Sequence, residues 1–221
     1  MNSRPILNTV MVWYFLTLSF CCIAYAGQPT EGYVLTRDYL ESLRILQPVM
    51  TKLEKIVSAS HILSSEEAPS LAKELEELKI ALAKASLKLD PFTKTKNKGI
   101  RESAVWILNN YKDFAVKNEE TLSQLHNFLR NPAGTEENFR PIDNKIFGDI
   151  AHFDEYLFHG SYQIVDSIIK HHVTFSKEER EDLVKQLKEI FGEKIVQLEG
   201  MWFRNTGPPL YDFLIKETKT N

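Results

Sequence analysis

Apolar residues recur along most of this chain at intervals of three and four, the spacing that lines one face of an α-helix. Over 37–60 the stripe is Leu40, Leu43, Leu46, Met50, Leu53 and Val57, and Pro48 is expected to kink the helix that carries it. "SSEEAP" (64–69) has the acidic residues and proline of a helix start. The stripe that follows, Leu71, Leu75, Leu78, Leu82, Ala85 and Leu89, has the alternating spacing of bundle packing. "LDPFTKTKNKG" (89–99) reads as a loop. Beyond it, 100–116 and 119–130 read as two shorter helices, parted near Asn118, a residue type that favours the N-cap.

"NPAGTEENFRP" (131–141) reads as a second loop, with Asp143 capping a long helix over about 144–172. Ser176 and Glu179 form a capping box that opens the last long helix. Its stripe, Leu183, Leu187, Ile190, Leu198 and Met201, predicts an end near Phe203, before "NTGPP". A short helix over 210–216 closes the chain. No stretch alternates as a strand does. The predicted class is all-α, a bundle of about six or seven helices forming a single domain over 27–221.

The first 26 residues break this pattern. Arg4 precedes the apolar run "VMVWYFLTLSFCCIAYA" (10–26), which ends with Ala24 and Ala26 at the small-residue positions of an A-x-A cleavage site. A charged start, an apolar stretch and small residues before a turn predict a signal peptide over 1–26. The alternative is an uncleaved anchor, for which the run is barely long enough and is interrupted by Thr17 and Ser19. Cleavage would leave 195 residues with a net charge of about −4, a periplasmic or secreted protein with no further membrane span. That acidic balance argues against nucleic acid as a partner.

Cys21 and Cys22, the chain's two cysteines, both lie within this leader. The mature domain is therefore expected to be held by its core alone, and to have no cysteine nucleophile, thiolate zinc site or covalent c-type haem. N-x-[ST] acceptors are absent. So are G-x-S-x-G, a phosphate-binding glycine loop, H-E-x-x-H and a dinucleotide fingerprint, and no catalytic residue is expected. The leading expectation is a protein that acts by binding or protein interaction.

One stretch invites a chemical reading. "HFDEYLFHG" (152–160) falls within a predicted helix. At about 100° per residue, with His152 at zero, Glu155 falls near −60° and His159 near −20°. Imidazole and carboxylate on one narrow face suit a transition metal, with iron or zinc as the candidate ions. The stripe Ile146, Ile150, Phe153, Leu157, Ile164 and Ile168 lies at about 100–160° on the same wheel. The His152, Glu155 and His159 face should therefore point away from the main core, as the polar side of any amphipathic helix does.

His152, Glu155, Tyr156, Leu157 and Gly160 resemble the H-x-x-E signature helix of the imelysin family, although Ile150 stands where that motif has its leading glycine. The resemblance implies an exported, all-helical bacterial protein linked to iron uptake, with His152 and Glu155 as site residues. His159 joins them on spacing alone. Further ligands would have to come from another helix, with Glu119, Glu120 and His126 as candidates.

Three other groups stand out. Met50 with His172 could hold a non-covalent haem, although methionine on an apolar stripe more often fills a core. His171 and His172 suit a helix end. Lys94, Lys96, Lys98 and Arg101 form a basic loop that could touch lipid headgroups or an acidic partner. Trp202, Phe203, Tyr211 and Phe213 crowd the C-terminal segment, either as a partner-binding surface or as a tail folded back on the bundle.

Overall fold

The predicted stripes become the interior. Leu40, Leu43, Leu46, Met50 and Leu53, the six stripe residues from Leu71 to Leu89, the six from Ile146 to Ile168, and Leu183, Leu187 and Ile190 are all buried and join in one core. The computed structural model describes residues 29–59, 64–131, 134–192 and 209–219. The leader expected at 1–26, and Leu198, Met201, Trp202 and Phe203, lie outside the described residues.

Six α-helices are present: α1 (Glu31–Ala59), α2 (Ala68–Leu89), α3 (Lys98–Arg130), α4 (Glu136–Lys170), α5 (Lys177–Phe191) and α6 (Pro209–Lys219). Short 3-10 turns, Ser65–Glu67 and Asp90–Lys94, precede α2 and follow it. No strand occurs among the described residues, and none of their helices is long and apolar enough to cross a membrane. The all-α bundle read from the pattern is what the chain forms.

The first four helices run up and down, each packed on the next, and α1 touches α3 and α4 to close the bundle. Pairings fix the directions. Lys52 meets Glu77 near one end of α1 and Lys88 meets Glu41 farther up, so α1 and α2 are antiparallel. Ser103 bonds the Gln163 carbonyl while Phe128 packs on Phe139, so α3 and α4 are antiparallel too. The fifth helix lies on α1, running parallel to it from the Tyr33–Asp182 hydrogen bond to the Arg44–Glu189 ion pair. The last helix rests on α4 and α5.

Several boundaries differ from those expected, each for a local reason. The first helix starts at Glu31 because Leu35, Thr36 and Tyr39 are already buried, and it continues through Pro48 with Leu46, Val49 and Met50 packed on either side. The break expected near Asn118 is absent, and α3 is continuous. Asn118 faces inward at 3% exposure, and its Nδ2 donates to the Leu75 carbonyl at 2.9 Å, so it ties α3 to α2 instead of capping a helix.

The fourth helix starts well before Asp143. Thr135 is its N-cap, with Oγ1 accepting from the Asn138 N–H, and Pro141 lies inside the helix between the buried Phe139 and Ile142. Asp143 is buried. The capping box at Ser176 and Glu179 is present, but α5 stops at Phe191. Gly192 follows at φ +81°, a backbone conformation that glycine adopts without steric cost, and its N–H returns to the Lys188 carbonyl.

Candidate functional site

Helix α4 divides its circumference three ways. Within 152–160, Phe153, Asp154 and Leu157 are buried, Tyr156 and Phe158 half-buried, and His152, Glu155 and His159 exposed. The three polar side chains share one face, as their spacing predicts. Glu155 sits between the rings, one carboxylate oxygen 4.0 Å from His152 Nδ1 and the other 4.0 Å from His159 Nε2. These contacts are too long for hydrogen bonds.

No group of three or more His, Asp or Glu among the described residues is arranged to hold a metal ion. Nor does α3 offer free carboxylates to this face: Glu119 is engaged by Lys79 at 2.6 Å and Glu120 by Lys145 at 3.8 Å, while His126 is half-buried. Met50 and His172 are also far apart. His172 directly precedes Val173, which abuts Gly32 in the first turn of α1, and Met50 lies eighteen residues farther along that helix. At 1.5 Å per residue that is roughly 27 Å.

Sequence reasoning sought one apolar stripe on α4 and missed a second. Phe147, Phe158, Tyr162, Val165 and Ile169 fall at about 220–280° on the wheel that puts His152 at zero, between the core stripe and the histidine face. Phe147, Tyr162 and Ile169 are each 57% exposed. The signal was available: large aromatic and branched residues recur at helical spacing off the core face.

Alongside this stripe runs α6, leaving a groove of about 390 Å³ lined by Phe158, Tyr162, Val165, Ile169, Pro209 and Phe213, with Asp166, Asp212 and Lys216 at its rim. The sixth helix is seated by Leu210 and Leu214, both fully buried, by the Leu210 N–H donating to Ser161 Oγ at 3.2 Å, and by Phe213 edge-on to Phe175. The described half of the C-terminal aromatic segment, Tyr211 and Phe213, thus packs half-buried on the bundle.

A second cleft, of about 480 Å³, opens where α1, α2 and α5 meet. It is charged but internally matched. Arg44 pairs with Glu41 and Glu189, Lys88 reaches Glu41, and Asp182 accepts from Tyr33 and Gln186. Burial and the Asp182 carboxylate raise the Tyr33 pKa and keep this hydroxyl a donor. The network fastens α5 to α1 and leaves no surplus charge to recruit an ion.

Comparison with models of known families, with curated proteins and with solved structures finds no match to this chain.

Proposed function

We propose that this chain is an exported helical-bundle protein that works by binding a partner along α4, and not by catalysis. One observation carries the reading: Phe147, Tyr162 and Ile169 stand half in water on one face of a well-packed helix, beside a groove whose floor is aromatic and aliphatic. Contiguous apolar surface of this kind is uncommon on a protein that meets only solvent. Export follows from the apolar run and A-x-A site of the first 26 residues.

Both parts can be tested in producing cells. Fractionation should recover a 195-residue product outside the cytosol. A photo-crosslinking side chain at Tyr162 should give a discrete adduct, absent when the same group replaces Val116 on α3 and lost in an Ile169→Glu background. A Tyr162 position that yields no adduct, or the same adducts as Val116, counts against the binding face.

A second reading, supported by Glu155 standing 4.0 Å from both imidazoles, gives α4 a metal site of the imelysin-like kind. His152, Glu155 and His159 would supply nitrogen and carboxylate donors to zinc or iron, with positions left open for other ligands. Calorimetric titration with each metal should then show saturable binding that His152→Ala and His159→Ala each abolish. Heats equal in all three proteins would dismiss this reading and leave the first intact.

A further inference from the structure

The lysines of the 93–98 segment are presented by a loop that is itself firmly held. Thr93, Thr95 and Asn97 are half-buried, and Lys94, Lys96 and Lys98 between them are exposed. Phe92 is buried and anchors the turn. Arg101 Nη1 donates to the Thr95 carbonyl at 2.7 Å, Thr95 Oγ1 donates to Glu31, and Asn97 Oδ1 accepts from the Ile100 N–H. The inward residues fix the backbone, so the alternation sends three ammonium groups to the same end of the bundle.

Little neutralises them. Among the described residues neither Lys94 nor Lys96 makes an ion pair, and Lys98 has only a 3.7 Å contact to Glu102, both partners well exposed. Of the nearby carboxylates, Glu31 is taken by Thr95 and Asp90 opens the turn. Arg101 adds charge, and the His171 ring packs against Gly99 at the start of α3. A chain of net charge −3 thus keeps a local basic end.

We infer that this end of the bundle docks on an anionic phospholipid surface. Neither cleft described above reaches it, so it offers no pocket for a free anion or a folded side chain. Lysines are point charges on flexible stems, suited to a fluid array of headgroups more than to bidentate recognition of one phosphate. The place is also apt. The chain enters α1 at this end, beside Thr95, directly after the apolar run 10–26, so a leader engaged with a bilayer would connect to the bundle here.

The test is co-sedimentation of the full chain with phosphatidylcholine vesicles, with and without phosphatidylglycerol. Each lysine near such a surface is worth roughly fivefold in partitioning. A Lys94→Gln/Lys96→Gln/Lys98→Gln variant should therefore bind phosphatidylglycerol vesicles on the order of 100-fold more weakly than the parent chain, while the two bind pure phosphatidylcholine alike through the shared apolar run. A control with the same charge change elsewhere, Lys73→Gln/Lys84→Gln/Lys112→Gln, should keep parental binding. Equal partitioning of parent and loop variant would overturn the inference. So would an equal loss in the control, which would make net charge the cause. Displacement of the parent by millimolar inorganic phosphate at constant ionic strength would overturn it too, by revealing a free-phosphate site.

Discussion

Tyr39 and Tyr111 carry their hydroxyls into the middle of the bundle, and both find partners there. Tyr39 donates to the Leu157 carbonyl at 2.6 Å, and Tyr111 shares a 2.9 Å hydrogen bond with Ser42. The Tyr39 ring can come so close to α4 because residue 160 is glycine. A Cβ there would stand 2.9 Å from the Tyr39 oxygen and 3.3 Å from its ring. In the same helix a Cβ at Gly148 would meet nothing within 4 Å. One substitution should therefore have opposite effects at two sites. Gly160→Ala should destabilise by about 2 kcal/mol through overpacking, and Gly148→Ala should stabilise by about 1 kcal/mol through helix propensity. Urea midpoints of the two variants decide this.

At the level of elements, features set by near neighbours were legible in the sequence, and features set by distant ones were not. The Ser176–Glu179 capping box needs only four residues, and it is present, with Ser176 Oγ accepting from the Glu179 N–H at 3.1 Å and Glu179 returning to the Ser176 N–H at 2.9 Å. Asn118 has the composition of a cap, yet its partner is Leu75, forty-three positions away, and only the packed pair of helices reveals its role. Likewise "TEENFRP" reads as a loop until Phe139 and Ile142 are seen in the core. Because α5 is only fifteen residues long and buries three side chains, its cap should matter. Ser176→Ala is expected to cost about 1 kcal/mol in thermal or urea unfolding.

For the whole molecule, stability should fail in alkali in a recognisable way. Burial raises the pKa of Tyr111, which the Ser42 hydrogen bond only partly offsets. The Tyr39 pKa is raised well above the ordinary range, again first by burial. A raised folded-state pKa gives stability that is complete below the unfolded value, near 10, and is lost as pH climbs beyond it, because only unfolded chains release these protons. A tyrosinate absorbance phase should therefore appear together with the loss of helical circular dichroism. A Tyr39→Phe/Tyr111→Phe variant should lack that phase and hold its fold to higher pH.

The candidate sites follow the same division by distance. The outward direction of His152, Glu155 and His159 is set by helix geometry alone, so spacing revealed it. The groove beside Tyr162 exists only because α6 lies along α4, and nothing local to either segment announces that.

The seating of α6 has one more consequence. Its second residue, Leu210, is hydrogen-bonded by a hydroxyl from Ser161, forty-nine positions earlier, and eleven residues are too few to stay helical alone in water. This segment should take shape last, on a template already assembled, so a nascent or shortened chain would reach its four-helix stage with Ser161 and the Gly160 shoulder still bare.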